Sequence, residues 1–279
     1  MKSKTLYALS FVLFLALACS STSFPAPDPT AATLPQSAPP TEAVFTPIPT
    51  FTLAPEPASL SASLTLGDSP LNESGAGPVY TITAQVPSLQ GSDSPRVTAF
   101  NARLKEIVQK NVDQFRNDIL ANQPITPFNA GSSFDVSYEL IGQRGEVWSI
   151  KFAVMSYMDG AAHPNHYTVT LNYDLAQGRE LALDELFLHG VNHMGTISDY
   201  CKAELSKRDI GFADPIFQTG ADPTPENYRN WNLSNDGLLV TFDQYQVAPY
   251  AAGQQTVVIP FAILMPLASP QSALHVFNQ

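Results

Sequence analysis

The side chains best suited to chemistry in this sequence sit in two short segments framed by small residues. The first, Tyr157-Met158-Asp159-Gly160-Ala161-Ala162-His163-Pro164-Asn165-His166, offers an aromatic ring, a carboxylate, an amide and two imidazoles within one loop-like stretch. The second, Tyr245-Gln246-Val247-Ala248-Pro249-Tyr250-Ala251-Ala252-Gly253, again sets tyrosines among small residues. Glycine and alanine let a ligand or another chain approach the backbone, while tyrosine, histidine, aspartate and asparagine supply the contacts that dominate binding surfaces. The expected contact residues are Tyr157, Asp159, Gly160, His163 and Asn165 from the first segment, with Tyr245, Pro249, Tyr250 and Gly253 from the second. For Tyr157 the alternative is a core ring with a wet hydroxyl.

Two classes of chemistry fit these residues. As a recognition surface they would hold a partner; as a hydrolytic cleft they would use His163 as general base with Asp159 orienting it. Asp159 could also join Glu139 or Asp243 in a carboxylate pair for glycoside chemistry. His163 and His166, or His189 and His193, have spacings a metal could use. However, His189-Gly190-Val191-Asn192-His193 lacks the acid of the His-Glu-x-x-His arrangement. No Gly-x-Ser-x-Gly elbow is present either. The expectation is a binding or sensing module without metal or cofactor, with a cell-wall-directed hydrolase as the alternative.

The elements that must position these segments can be read from periodicity. Tyr80–Val86 alternates as a strand that Pro87 should end. Ser94-Pro95 caps a helix whose apolar residues Val97, Phe100, Leu104, Ile107, Val108, Phe115 and Ile119 recur at helical spacing. Phe134–Val154 reads as a hairpin turning at Gln143-Arg144-Gly145, and Tyr167–Leu183 as a second turning at Ala176-Gln177-Gly178. A helix from about Val191 to Lys207 precedes a third hairpin at Asn235-Asp236-Gly237, and Thr256–Leu264 is the last strand. Successive hairpins, in place of strand–helix–strand repeats, predict an α+β fold with a mainly antiparallel sheet and a few flanking helices. If neighbouring strands of one sheet deliver both segments to the same end, the segments meet.

The first residues place two lysines, Lys2 and Lys4, ahead of an apolar run from Leu6 to Leu17 that ends in Ala18-Cys19. This is the pattern of a secretory signal peptide, too short to span a bilayer comfortably. It is similar to a lipobox, with Cys19 the lipidated residue and the lipid the link to a bacterial membrane. Cys201, the other cysteine, would then have no disulfide partner and is expected as a buried thiol. Residues 20–59 are rich in Pro, Thr, Ser and Ala and cannot build a core; as an extended linker they would reach on the order of 100 Å. The globular domain is expected over residues 60–279, with a first half to about 130 and a second from 131. The chain carries 25 acidic against 14 basic residues, for a formal charge of −11. Nucleic acid is excluded as a partner, and a basic one is favoured.

The two segments, with Asn172-Tyr173-Asp174-Leu175-Ala176-Gln177-Gly178 between them and the stretch from Tyr80 through the helix bearing Asn101, resemble the RsiV-like extracellular domain family. That family includes anti-sigma factors and a region on the N-terminal side of the peptidoglycan deacetylase PdaC. The resemblance implies an extracytoplasmic α+β module, lysozyme binding as in the anti-sigma factor, and a basic wall-active protein or a peptidoglycan fragment as partner.

Overall fold

The computed structural model describes residues 59–122 and 131–279. The expected leader, the expected lipidation site Cys19 and the expected linker up to residue 58 lie outside the described residues. Amphipathic spacing first builds one long helix, α1 (Pro95–Ala121). Ser94 Oγ accepts the amide of Arg96 at 3.3 Å, and Pro95 occupies the first turn, where a missing N–H costs nothing. Val97, Phe100, Leu104, Ile107, Val108, Val112, Phe115 and Ile119 form its buried stripe. The side chain of Asn101 pairs with both backbone groups of Leu89, at 2.7 and 2.9 Å, and ties the start of the helix to the sheet beneath it.

That sheet has six strands in sequence order: β1 (Thr65–Ala76), β2 (Val79–Gln90), β3 (Ser132–Arg144), β4 (Val147–Tyr157), β5 (Asn165–Asp174) and β6 (Arg179–Glu180). Every pairing is antiparallel except β2 with β3, which run parallel because α1 carries the chain across between them. The mainly antiparallel α+β architecture is thus present, with one strand–helix–strand crossover that the run of hairpins did not suggest. The face toward α1 presents Ile82, Ala84, Phe134, Val136, Trp148, Ile150, Phe152, Val154 and Leu171, all buried. Each large side chain there contributes about 2 kcal/mol of burial.

On the other face lies a three-stranded antiparallel sheet of β7 (Trp231–Ser234), β8 (Gly237–Phe242) and β9 (Gln255–Pro260), over a second core. This core includes helix α2 (His193–Leu205) and the short helices α3 (Pro215–Gln218), α4 (Phe261–Leu264) and α5 (Ala273–Phe277). Cys201 is fully buried in it, and burial pushes its thiol up to about 12. The two sheets are joined through side chains. Ser149 Oγ and Asn172 Oδ1 both accept the amide of Leu233, at 3.0 and 3.2 Å, and Asn172 Nδ2 donates to the Trp231 carbonyl at 2.8 Å. These are backbone groups that β7 has no further strand to satisfy. Gly142 is needed where β7 crosses, since a Cβ there would lie 2.5 Å from the Leu233 carbonyl oxygen.

Several boundaries differ from expectation for local reasons. Pro87 does not end β2, because β3 flanks it only from Tyr80 to Ala84 and leaves the rest of β2 with β1 alone. The last strand stops at Pro260, and Phe261–Leu264 turns helical. The α2 helix starts only at His193, where Asn192 accepts the Gly195 amide at 3.1 Å.

Candidate functional site

The two segments meet, though not as strands of one sheet would bring them. Residues 158–164 connect β4 to β5 in the six-stranded sheet, and residues 243–254 connect β8 to β9 in the smaller one. Tyr157 closes β4, while Asn165 and His166 open β5. The loops touch because the sheets lie face to face, not because their strands are neighbours.

The contact is aromatic. The rings of His163 and Tyr250 stack with centroids 4.0 Å apart and planes 30° from parallel; Tyr245 lies 5.5 Å from Tyr250 and 6.3 Å from His163. The Tyr250 hydroxyl donates to the Pro164 carbonyl at 3.0 Å. His163 Nδ1 lies 3.0 Å from that same carbonyl oxygen, which only accepts, so Nδ1 carries the proton. Nε2 then accepts from the Tyr245 hydroxyl over a long 3.4 Å. Tyr245 is 58% exposed and has φ 68, the one positive φ outside glycine among the described residues. A left-handed conformation costs a residue with a Cβ about 1–2 kcal/mol. The loop therefore holds an exposed aromatic ring against backbone preference.

The two loops are also tied through Asp243, a possible catalytic acid by sequence. It is 8% exposed. Oδ1 accepts the amide of Thr168 at 2.9 Å and the Gln254 amide group at 3.3 Å. Oδ2 accepts Asn230 Nδ2 at 3.0 Å and Arg229 Nη2 at 3.2 Å. One carboxylate thus ties β5, just past the first loop, to both ends of the second. Gln246 fixes the second loop further by donating to the carbonyls of Gly220 and Asn227, at 3.0 and 2.9 Å.

The remaining candidates fall around this cluster. Gly160 and Asn165 are exposed, and the amide of Asp159 donates to Ser132 Oγ at 3.0 Å. Pro249 is exposed and precedes the short 3-10 turn Tyr250–Ala252, which ends at Gly253. Tyr157 is half-buried and paired with Ser133. Two clefts of about 550 Å³ each lie nearby. One, between the first loop and the C-terminal half of α1, is bordered by Asn111, Asp118, Met158, His163, Asn165 and Tyr167. Burial and the Asp118 charge raise the Tyr167 hydroxyl above its ordinary value. The other cleft lies on the sheet face away from α1.

The catalytic arrangement considered from the sequence finds little support in this geometry. Both ring nitrogens of His163 are taken, by Pro164 and Tyr245. Of the possible carboxylate partners, Glu139 is paired with Lys151 at 2.9 Å and Asp243 is enclosed in its own network. No cluster of three metal-ligating residues exists among the described residues. No helix among them is long and apolar enough to cross a membrane.

Residues 184–262 match DUF3298, a family described as a protein of unknown function. The DUF3298 match takes in the Tyr245–Gly253 loop and Asp243 but not the first loop. Over 174 residues, 61% of this chain, the sequence is 26% identical to the peptidoglycan-N-acetylmuramic acid deacetylase PdaC of Bacillus subtilis, covering 36% of that protein. Over 110 residues, 39% of this chain, it is 32% identical to the esterase Rv3036c of Mycobacterium tuberculosis, covering 47% of it. The chain therefore spans between a third and a half of these relatives. A DUF3298 protein from Bacteroides fragilis shares the fold, with TM-score 0.59 at 18% identity over 77% of this chain and 98% of that one. A Pseudomonas aeruginosa DUF3298 protein does so with TM-score 0.52 at 16% identity, over 74% and 95%.

Proposed function

We propose that the protein is an extracytoplasmic binding module of the cell envelope, lipid-anchored through Cys19, that recognises its partner with His163, Tyr245 and Tyr250. The observation that carries this reading is the exposed Tyr245 ring, held in left-handed backbone beside a stacked His163–Tyr250 pair. Rigid aromatic groups of this kind anchor interfaces at low entropic cost. The PdaC relative is a peptidoglycan deacetylase, which favours a wall context here. The acidic charge and the RsiV-like resemblance favour a basic wall-active protein such as a lysozyme over a neutral partner.

Surface-binding kinetics with lysozyme test this. Binding should show an association rate that falls as salt is added, because steering by the acidic surface is screened. His163→Ala and Tyr245→Gly should each weaken it by about tenfold or more without lowering the melting temperature. Absence of lysozyme binding, or variants that merely unfold, would refute the proposal.

The esterase among the relatives favours a second, hydrolytic reading of the same loops. Turnover of a p-nitrophenyl ester that disappears in His163→Ala would support it, and no turnover above background would end it.

A further inference from the structure

The smaller sheet covers β4, β5 and the end of β3 around Gly142, but leaves a ledge over β2 and the first half of β3. Alternation places Ile82, Ala84, Phe134 and Val136 toward α1, so Thr83, Gln85, Asp135 and Ser137 point the other way, onto this ledge. The strand registers put Thr83 opposite Asp135, Asp135 opposite Met155, and Met155 opposite His166. These four side chains make one straight row across four strands, with neighbours about 4.8 Å apart. Gln244 and Gln254, from the ends of the β8–β9 loop, form the wall at the far end of the row. The cleft so enclosed has a volume of about 550 Å³, within the usual range for small-ligand sites.

The chemistry of the ledge is specific. No lysine or arginine lines it. Lys151, on the same face of β4, is already paired with Glu139. Thr83, Gln85, Asp135, Ser137, His166 and Gln244 make no side-chain hydrogen bond to the described residues. Their donors and acceptors converge on a concave surface where no side-chain hydrogen bond from the described residues satisfies them. Exposed Ala153 and half-buried Met155 provide an apolar strip between them. Without a cation, the ledge does not suit phosphate or a carboxylate-rich ligand. Amides, hydroxyls and one carboxylate beside an apolar strip suit a ligand with many hydroxyl and amide groups along its edges and C–H faces between.

We infer that this ledge is a second binding site, distinct from the aromatic cluster, that takes a neutral β-linked oligosaccharide laid along the row Thr83–Asp135–Met155–His166. Asp135 accepts from sugar hydroxyls, Gln85 and Gln244 both donate and accept, and Met155 meets a ring face. The site goes beyond the partner binding proposed above and does not depend on it.

The test is a titration of the isotope-labelled protein with a tetramer of β-1,4-linked N-acetylglucosamine, followed by backbone NMR. Saturable shifts should centre on residues 83, 85, 135, 155 and 244. Asp135→Ala and Gln85→Ala should each weaken binding roughly five- to tenfold. Both residues lie on the exposed side of their strands, so the spectrum of each variant should remain that of the folded protein. Absence of shifts at millimolar tetramer, shifts confined to the loops carrying His163 and Tyr245, or unchanged affinity in both folded variants would each overturn the inference. Loss of lysozyme binding with tetramer binding intact would bear only on the earlier proposal.

Discussion

Replacing Asp243 by alanine should loosen the joint between the two sheets at the site where the loops meet. The substitution strips the Thr168 amide, which is buried, and the Asn230 amide group, also buried, of their acceptor. A buried donor left unsatisfied costs about 1–3 kcal/mol. The Arg229 contact adds little, since that guanidinium is 61% exposed. Two orphaned donors therefore predict a loss of about 2–6 kcal/mol, or roughly 10 °C in melting temperature for a domain of this size. Asp243→Asn separates the contributions. Its remaining oxygen still accepts from Thr168, but its NH₂ faces the donors of Asn230 and Arg229, so about half the loss should persist. Urea unfolding with a common slope measures both variants. A loss below about 0.5 kcal/mol in Asp243→Ala would refute the view that this carboxylate cements the loops.

Two further predictions concern stability. Glu146 accepts Ser59 Oγ at 2.5 Å, the Ser61 amide at 3.2 Å and Ser61 Oγ at 3.0 Å. Burial alone would raise its carboxyl, but these hydrogen bonds outweigh it and hold the group below its ordinary value of 4.5. The stability it contributes is thus complete above that value and is lost as pH falls through the depressed one; the difference between wild type and Glu146→Gln, plotted against pH, should shrink only on that acid side. At Tyr245, substitution by glycine should leave the melting temperature unchanged or higher, because relief of about 1 kcal/mol of left-handed strain offsets the lost ring contacts. A fall of several degrees in thermal unfolding would show that the ring holds the loop together.

Much of this molecule could be read from its residues because strong periodicity left few choices. The stripe on α1 and the alternation of β3, β4 and β5 gave those elements nearly to the residue. The β1 strand, by contrast, reads Thr65-Leu66-Gly67-Asp68-Ser69-Pro70-Leu71-Asn72 and lacks an apolar face. It is an edge strand paired on one side only, so its sequence reports solvent and not a core. The parallel β2–β3 pairing was hidden because a lone crossover leaves no repeat to detect. At the candidate site, composition alone singled out both loops. Asp243 was harder to place: a carboxylate gives no sign in sequence of whether it faces water or caps a buried amide. The ledge row was out of reach altogether, since it depends on register across four strands and no single strand encodes it.

The clasp of Glu146 on Ser59 and Ser61 has a mechanical consequence. It fastens the chain at the β3–β4 turn, while the loops bearing His163 and Tyr245 lie at the opposite end of β4, about 36 Å away along its 11 residues. If the chain is held below residue 59 and a partner is held at the loops, tension runs parallel to the strands. The β3–β4 and β4–β5 hydrogen bonds lie across that axis, so they are loaded together in shear instead of being unzipped one at a time. The strand that separates the point of attachment from the point of capture is also the most completely paired in the sheet, and a pull along it meets its whole ladder at once.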